Sequence, residues 1–337
     1  MTHIQLPISK SIANRLLMLQ AINGLPLLDV SSSDMPEDVR TMHDGLVALH
    51  QGADYLMLDN CGTAMRFLTA YCAQLEGRTT ILDGNARMRQ RPIGQLVDAL
   101  LACGADIEYP GKAGFPPIKV IGEEVNGRVY LDASRLDSTQ FVSALLLIGI
   151  DVTCEASSPY IEMTRKLVEK FTTSQIHTSE YLERDWSAAA FWYEYVALHG
   201  GELLLEGLQT SELQGDCVVA DIFGKLGVET LSTPEGAVIC RKHLPLISHL
   251  HLSFADCPDL YPAVAITCRQ LDISLEATDI ERLRWKESDR LSAVEHLRTD
   301  HDHRMAMALL AADLPCDDID CIAKSYPTFY SQLCQLR

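Results

Sequence analysis

The sequence predicts an α/β protein made of repeated strand and helix units. Short strand-like runs alternate with longer apolar helices, and a Gly-Ala or Gly-Val step leads from a helix into the next strand, as in 96–109 and 221–240. The chain has 337 residues, which is enough for two domains with separate cores. It contains neither a GxGxxG fingerprint nor a Walker loop, so the repeats do not indicate a dinucleotide-binding or P-loop protein.

Composition and charge exclude several classes of protein. No run of about eighteen apolar residues and no leader segment occurs, which predicts a cytoplasmic protein that neither spans a membrane nor is exported. The formal charge of −18 argues against nucleic acids and anionic membranes as partners, because clustered Lys and Arg hold both. The 11 cysteines include no CxxC pair, so disulfide frameworks and zinc sites are not expected.

Although the chain is acidic, its cations fall into local groups near predicted helix starts. These groups are Lys10 with Arg15, Arg87 with Arg89 and Arg91, Arg282 to Arg290, and Arg304 with Lys324. The start of a helix offers unpaired backbone N–H groups and favours anions. Cations grouped at such positions predict a binding site for a small, highly charged anion.

The first of these helix starts follows a predicted strand at 4–9. A Ser-Lys-Ser run at 9–11 begins an apolar helix, and Arg15 lies one turn inside it. Gly62 precedes a second apolar helix at 67–75, where glycine lets a ligand approach the backbone closely. Each feature has an ordinary alternative, because Ser and Thr are also common helix caps.

Arg87, Arg89 and Arg91 alternate along one segment. No acidic residue lies between Arg87 and Gly94, and Pro92 is expected at the first position of the following helix. We interpret the three arginines as an anion clamp. The alternative is a set of ion pairs with acids elsewhere in the sequence.

Two later helix starts carry hydroxyl and amide groups that suit a polyhydroxylated ligand. The Ser-Thr-Gln run at 138–140 precedes a predicted helix at 141–148, and the Ser-Ser-Pro-Tyr run at 157–160 precedes one at 161–171. Helix capping is the alternative for both. Asp259 likewise stands close before a helix.

The highest density of charge occurs at 284–290. We predict a strand at 279–285 and a helix at 287–298, with Lys286, Glu287 and Arg290 in its first turn. The alternative is an exposed, ion-paired helix start. The Asp-His-Arg run that follows at 302–304 begins another predicted helix and favours the anion site.

Eight motifs along nearly the whole chain resemble, in order, those of the 5-enolpyruvylshikimate-3-phosphate synthase family, in a divergent and shortened bacterial form. They are SKSIANR at 9–15, GTAMRF at 62–67, RMRQRPIG at 87–94, STQF at 138–141, PYI at 159–161, KESDR at 286–290, DHRMAM at 302–307 and KSYP at 324–327.

The resemblance implies a two-domain enolpyruvyl transferase fold of the α/β class. Each domain would contain three βαβαββ units whose helix starts face an interdomain cleft. One domain would comprise 10–183 and lie on the shikimate 3-phosphate side. The other would combine 1–9 with 184–337 and carry the catalytic motifs.

The resemblance also implies an activity in aromatic amino acid biosynthesis. The enolpyruvyl group of phosphoenolpyruvate would pass to the 5-hydroxyl of shikimate 3-phosphate, with release of phosphate. The two substrates carry two phosphates and two carboxylates, which accounts for grouped cations in an acidic chain. No metal or redox cofactor is implied, and the protein is expected to be a monomer whose partners are these two small molecules.

The resemblance assigns roles residue by residue. Shikimate 3-phosphate would be bound by Lys10, Ser11, Arg15, Ser138, Thr139, Gln140, Ser157, Tyr160, Asp259 and Lys286. Phosphoenolpyruvate would be bound by Lys10, Gly62, Arg91, Gln140, Arg290, His303, Arg304 and Lys324. Asp259 would take the proton of the 5-hydroxyl, and Glu287 with Lys10 would deliver a proton to the enol.

The chain departs from the family pattern in several places. Ile8 stands where the family usually has a small residue, and the segments 171–184, 291–301 and 313–323 are shorter than in family members. Missing strands would leave sheet edges unpaired. Two alternatives remain: a UDP-N-acetylglucosamine enolpyruvyl transferase, against which the Ser-Lys-Ser start and the KESDR motif argue, and an anion-binding relative that has lost turnover.

Overall fold

The computed structural model describes residues 1–132, 135–155, 158–173, 182–242 and 247–337. The chain divides into two compact units. The first unit contains Met1–Lys10, Ser31–Glu37 and Tyr181–Arg337, and the second contains Ser11–Val30 and Asp38–Glu180.

The described residues form both helices and strands. In chain order they are β1 (Thr2–Gln5), α1 (Lys10–Ile22), α2 (Glu37–His50), β2 (Tyr55–Met57), α3 (Gly62–Ala73), β3 (Thr79–Asp83), α4 (Gly94–Ala102), β4 (Asp106–Glu108), β5 (Ile118–Ile121), β6 (Arg128–Leu131), α5 (Gln140–Leu147), β7 (Asp151–Cys154), α6 (Pro159–Thr173), α7 (Trp186–His199), β8 (Glu202–Glu206), α8 (Val219–Lys225), β9 (Val228–Thr233), β10 (Gly236–Arg241), β11 (His249–Ser253), α9 (Tyr261–Gln270), β12 (Ser274–Thr278), α10 (Arg290–His296), α11 (His303–Ala311) and α12 (Phe329–Leu336). Short 3-10 helices occur at Met88–Gln90, Gly215–Val218, Pro258–Leu260, Glu281–Trp285 and Asp320–Lys324. None of the helices in these ranges combines the length and the apolar character that crossing a membrane requires.

The second unit contains one complete βαβαββ unit, formed by β2, α3, β3, α4, β4 and β5. Its strands form a sheet in the order β2-β3-β5-β4. β2 and β3 are parallel, with Tyr55 opposite Ile81, whereas β5 is antiparallel to both of its neighbours. Parallel neighbours need a crossover connection, which α3 provides.

The first unit repeats this topology with a strand supplied by the N-terminal segment. β1 pairs in parallel with β8, with Thr2 opposite Leu203, and β10 lies antiparallel between β8 and β9. The sheet order is β1-β8-β10-β9, and α7 and α8 complete the βαβαββ pattern. The N-terminal strand is therefore part of the first unit, which places Lys10 there.

Each unit also contains a shorter βαβα pattern. It consists of β6, α5, β7 and α6 in the second unit and of β11, α9, β12 and α10 in the first, and each strand pair is parallel. The predicted α/β class with repeated units is confirmed. The described residues differ from three full copies per domain, because each unit contains one complete βαβαββ pattern, one abbreviated pattern and a further helix pair, α1 with α2 or α11 with α12.

The connection from α10 to α11 is a short, strained turn. Leu297, Asp300 and His301 have φ angles of 52°, 46° and 59°. Residues other than glycine rarely adopt this left-handed conformation. The first unit thus makes the connection without a strand pair, directly before Asp302.

Two helices that are apolar on nearly all sides lie in the cores of the units. α3 buries every residue except Thr63, and α7 buries all but three of its residues. A helix without a polar face is typical of a core element. Packing on all sides fixes these helices and therefore the residues at their starts.

The predicted strand at 279–285 is wrong. β12 ends at Thr278, and Glu281–Trp285 forms a 3-10 helix. Asp279 has a φ angle of 58°, which is incompatible with continuing an extended strand. The hydrophobic pattern carries no sign of this local conformation.

The predicted helix at 287–298 is shorter than expected. α10 begins at Arg290 because the side chain of Asp289 accepts a hydrogen bond from the backbone N–H of Ser292 at 3.3 Å, as an N-cap does. Lys286 and Glu287 therefore precede the helix, and Arg290 alone of the three lies in its first turn.

One buried carboxyl group in α7 lacks a hydrogen-bond partner among the described residues. Glu194 is fully buried, and neither of its carboxyl oxygens is bonded there. Burial raises the pKa of Glu194 well above its ordinary value. The group is therefore held in its neutral form in the folded chain.

We expect Glu194→Gln to raise the free energy of unfolding at alkaline pH and to change it little at acidic pH. The unfolded chain ionises Glu194 above its ordinary pKa, whereas the folded chain retains the proton. The wild type therefore loses stability as the pH rises between the two pKa values, by up to about 1.4 kcal/mol per pH unit. Urea unfolding from about pH 4 to about pH 8 measures the effect. The exposed Glu202→Gln provides the control, and parallel curves for Glu194→Gln and the wild type would contradict the prediction.

Candidate active site

In the first unit, three helix starts carry charged residues that contact one another. Asp259 lies in the 3-10 helix before α9, Arg290 is the first residue of α10, and Asp302 is the N-cap of α11. We call the ion-paired group at these starts the Arg290 cluster, which consists of Asp259, Lys286, Glu287, Arg290, Asp302, Arg304 and Lys324.

The guanidinium of Arg290 is fully buried and contacts three carboxylates. Nη1 donates to Asp259 at 2.8 Å, Nη2 donates to Glu287 at 2.9 Å, and Nε donates to Asp302 at 2.8 Å. A buried guanidinium needs such partners, because an unpaired interior charge has a large desolvation penalty. These bonds fix the positions of Asp259 and Glu287 relative to each other.

Asp259 is surrounded by cations. Besides the bond from Arg290, its carboxylate accepts from Nη2 of Arg304 at 2.9 Å and from Nζ of Lys286 at 3.2 Å. Burial alone would raise the pKa of Asp259, but the charge of Arg304 and of the two other cations outweighs burial and holds the pKa well below its usual range. In this arrangement Asp259 is an ionised carboxylate and a weak base.

Glu287 and His303 complete the polar surface of this region. Glu287 bridges two cations, because Nζ of Lys324 lies 3.6 Å from the carboxylate oxygen that Arg290 does not contact. Burial, reinforced by the charge of Lys10, lowers the pKa of His303 well below its usual value. Neither ring nitrogen of His303 has a hydrogen-bond partner in the described part of the chain. A neutral imidazole of this kind has one N–H to donate to an anion.

In the second unit, a buried cation is held by neutral groups. Nε of Arg15 donates to the hydroxyl of Thr164 at 2.7 Å, and Nη2 donates to the hydroxyl of Ser143 and the backbone carbonyl of Tyr160, each at 3.1 Å. Nη1 donates to the carbonyl of Ser11 at 2.8 Å. Burial lowers the pKa of Arg15 to about 10, so the guanidinium remains charged at neutral pH. We call these five residues the Arg15 cluster; its acceptors satisfy the N–H groups without cancelling the charge.

Gly62, at the start of α3, lies against two guanidinium groups. A Cβ atom at Gly62 would be 2.5 Å from Nη2 of Arg91 and 2.7 Å from Nη1 of Arg66. Nη1 of Arg91 also donates to the carbonyl and the side-chain oxygen of Asn60, at 3.2 Å each. The structure thus brings Gly62 and Arg91 together, because glycine leaves the space that the guanidinium occupies.

The interpretation of three arginines as an anion clamp is wrong for Arg89. Its guanidinium donates to both oxygens of Asp83, at 2.9 and 2.5 Å. Asp83 is the last residue of β3 and precedes the segment 87–94, which contains no acidic residue. The following helix also begins later than predicted, at Gly94 rather than Pro92.

Ser138, Thr139 and Gln140 lie at the start of α5. The backbone N–H of Gln140 donates to the hydroxyl of Ser138 at 3.2 Å, and Nε2 of Gln140 donates to Thr63 at 3.0 Å, which links the starts of α5 and α3. Thr139 occupies the N-cap position without a side-chain cap bond. Ser157, also predicted for this ligand, lies outside the described residues.

Several residues that hold the predicted side chains were missed in the sequence. They are Ser143 and Thr164 beside Arg15, Thr63 beside Gln140, and Ser288 and Asp302 beside Arg290. A signal exists for the first pair, because each is a buried hydroxyl residue within a helix that packs on the core. Asp302 is part of the DHRMAM motif, but its place as a partner of Arg290 depends on tertiary contact. No group of three or more His, Cys, Asp and Glu side chains among the described residues is placed to hold a metal ion.

Comparison with known proteins identifies the family. The family model described as EPSP synthase (3-phosphoshikimate 1-carboxyvinyltransferase) matches residues 35–299. The 3-phosphoshikimate 1-carboxyvinyltransferase of Bacteroides fragilis is 33% identical to this chain, over an alignment that covers 98% of this chain and 94% of that protein. The chain therefore belongs to the EPSP synthase family, which confirms the resemblance that its motifs predicted.

A plant relative and a solved structure agree with this assignment. The chloroplastic 3-phosphoshikimate 1-carboxyvinyltransferase 1 of Nicotiana tabacum is 30% identical, over 98% of this chain and 82% of that protein. The structure of EPSP synthase from Acinetobacter baumannii matches with a TM-score of 0.70 at 20% identity, over 99% of this chain and 95% of that chain. At this identity the structural match shows the fold, and it confirms the predicted fold class. The comparisons favour neither of the two alternative functions.

The relatives contain segments that this chain lacks. The alignment with the Bacteroides fragilis protein spans 394 positions, which exceeds the 337 residues of this chain. Part of that alignment therefore has no counterpart here. This is consistent with the shortened segments that the sequence predicted.

We expect Thr164→Val to lower the free energy of unfolding by roughly 1–3 kcal/mol, because Nε of Arg15 would lose its buried acceptor while the side-chain shape is retained. Urea unfolding measures the change. Thr172→Val, at an exposed position of the same helix, is the matched control and should shift stability by less than about 0.5 kcal/mol. Equal losses in the two variants would contradict the role assigned to Thr164.

The family resemblance assigns Gly62 and Arg91 to phosphoenolpyruvate. On that assignment we expect Gly62→Ala to displace the guanidinium of Arg91 and to weaken phosphoenolpyruvate binding by about tenfold to a hundredfold, because small misplacements of a binding group have large effects. Equilibrium dialysis measures the affinity. Gly224→Ala is the control, since a Cβ atom there meets nothing within 4 Å. Unchanged affinity in Gly62→Ala would show that Arg91 adapts or does not contact this ligand.

Proposed function

We propose that this protein transfers the enolpyruvyl group of phosphoenolpyruvate to the 5-hydroxyl of shikimate 3-phosphate and releases phosphate, as a transferase of aromatic amino acid biosynthesis. The observation that carries the proposal is the Arg290 cluster, in which one guanidinium holds the carboxylates of Asp259 and Glu287 beside further cations. The reaction needs a base for a hydroxyl, an acid for a carbon and cations for a phosphate. The cluster contains each kind of group, and family membership supports the choice of substrates.

Phosphoenolpyruvate is proposed to bind at cations and at one neutral imidazole. The residues proposed for it are Lys10, Gly62, Arg91, Gln140, Arg290, His303, Arg304 and Lys324. Arginine N–H groups suit carboxylate and phosphate oxygens, because they donate in a fixed, planar arrangement. The unused ring nitrogens of His303 support a role as a hydrogen-bond donor to the same anion.

Shikimate 3-phosphate is proposed to bind mainly through the second unit. The residues proposed for it are Lys10, Ser11, Arg15, Ser138, Thr139, Gln140, Ser157, Tyr160, Asp259 and Lys286. The Arg15 cluster supports this assignment, because the hydrogen-bond acceptors of this buried cation among the described residues are all neutral, and an anion would stabilise its charge.

Asp259, Glu287 and Lys10 are proposed to move the protons. The oxygen of the 5-hydroxyl bonds to C2 of phosphoenolpyruvate as its proton passes to Asp259, and C3 takes a proton from Glu287 or Lys10. Cleavage of the bond between C2 and the phosphate oxygen then releases phosphate, and loss of one proton from C3 restores the double bond. The shared contact with Arg290 supports paired action of the two carboxylates.

The domain division and the cellular setting are also proposals. We propose that the two units correspond to the domains predicted at 10–183 and at 1–9 with 184–337, except that Lys10, Ser31–Glu37 and the residues from 181 to 183 group with the first unit. The separate sheets and cores of the two units support a division near these positions. A monomer in the cytoplasm is proposed from the family resemblance.

The direct test is phosphate release from shikimate 3-phosphate and phosphoenolpyruvate, measured with the purified protein. We expect release that requires both substrates and that falls by about a hundredfold or more in Glu287→Gln. Glu281→Gln, at an exposed carboxyl six residues earlier, is the matched control and should keep the wild-type rate.

A Lys324→Ala variant provides a second check against a contaminating host enzyme, because contamination would give the same rate in every preparation. Folded wild-type protein that releases no phosphate from the two substrates would refute the proposed function.

A further inference from the structure

Asp259 occupies N–H groups that an anionic substrate also needs. One of its oxygens accepts from Nη2 of Arg304 at 2.9 Å, and the other accepts from Nη1 of Arg290 at 2.8 Å and from Nζ of Lys286 at 3.2 Å. A carboxylate that bridges two guanidinium groups is the arrangement expected for the carboxylate of a substrate at the same place. The protein's own side chain therefore takes the position of a ligand group.

The three carboxylates that contact Arg290 differ in how easily the carboxylate of a ligand could replace them. The exposed fraction of the side chain is 16% for Asp259, 10% for Glu287 and 0% for Asp302. Asp302 also accepts from the backbone N–H of Arg304 at 2.9 Å and from the hydroxyl of Ser288 at 3.1 Å, so its departure would remove the cap of α11. Asp259 has no such second duty, because the three cations are its only hydrogen-bond partners in the described residues.

We propose that Asp259 is an exchangeable counter-ion, which competes with the carboxylate of phosphoenolpyruvate for Arg290 and Arg304 and is released by it to act as the base. The choice of phosphoenolpyruvate as the competing anion rests on the proposed function. The competition itself rests on the geometry of the cluster.

The exchange resolves a conflict between the position of Asp259 and its proposed task. A general base is most effective when its pKa is near the working pH. Asp259 has the opposite property while the cations surround it, because they hold its pKa well below the usual range. An anion that neutralises Arg290 and Arg304 removes that stabilisation, so the pKa of Asp259 rises as the substrate binds. Binding of one substrate would thereby prepare the base for the other.

The test compares phosphoenolpyruvate binding in two variants. Each variant replaces one carboxylate partner of Arg290 with a neutral amide, so both lose the same charge. In equilibrium dialysis with labelled phosphoenolpyruvate, Asp259→Asn should bind about tenfold more tightly than the wild type, because a competitor is lost. Asp302→Asn should bind more weakly, because Arg290 loses its fixed partner. Opposite signs cannot arise from net charge, which changes equally in both. Asp259→Glu, which keeps a carboxylate, should stay close to the wild type.

The inference would be overturned if Asp259→Asn bound phosphoenolpyruvate more weakly than the wild type, with the same affinity, or not at all. It would also be overturned if both Asn variants bound more tightly by the same factor. Circular dichroism verifies folding, and Asp259→Ser is measured in the same way if Asp259→Asn does not fold. Because binding is measured without turnover, the proposed function and the role of Asp259 can be refuted independently. Absent phosphate release from the wild type counts against the proposed function, whereas the sign of the change in affinity decides the role of Asp259.

Discussion

A single buried guanidinium holds the functional residues of the first unit together. Arg290 binds carboxylates from three separate segments, so the starts of α9, α10 and α11 cannot move independently. Burying such a network has a desolvation penalty that only complete pairing offsets, and removal of one partner typically destabilises a protein by roughly 3–5 kcal/mol. The contacts that stabilise this unit are therefore also those that set the distance between Asp259 and Glu287.

The second unit has the same sheet topology, but its buried cation has a different kind of hydrogen-bond partner. The acceptors of Arg15 are two hydroxyls and two backbone carbonyls, which satisfy its N–H groups and leave its charge uncancelled. In the first unit, carboxylates cancel most of the positive charge of the Arg290 cluster. Little of this charge is available to an anionic ligand unless the ligand displaces one of the carboxylates. The same sheet topology thus supports two electrostatic arrangements: a buried cation held by neutral acceptors, and a network in which carboxylates cancel most of the positive charge.

Most of the candidate site residues lie at or next to helix starts rather than on the strands. Helices α3 and α7 are packed on nearly all sides. Each lies in the connection between the two parallel strands of its unit's four-stranded sheet. The shortened connection before Asp302 requires left-handed backbone at Leu297, Asp300 and His301, each at a penalty of about 1 kcal/mol or more. The cap and the ion pairs of Asp302 lie immediately after this strained turn and oppose its unfolding.

The sequence by itself determined the α/β class, the family and the approximate position of most helix starts, and it predicted a set of candidate site residues. These features follow from local patterns, namely apolar periodicity, capping residues and ordered motifs. The strand at 279–285 was mispredicted because the left-handed conformation of Asp279 leaves no mark in the hydrophobic pattern. Only the tertiary structure decided which charges pair, as in Arg89 with Asp83 and Arg290 with Asp302. The physical reason is that the packing of whole elements selects partners from distant segments, and the ionisation of Asp259 depends on the cations which that packing brings to it.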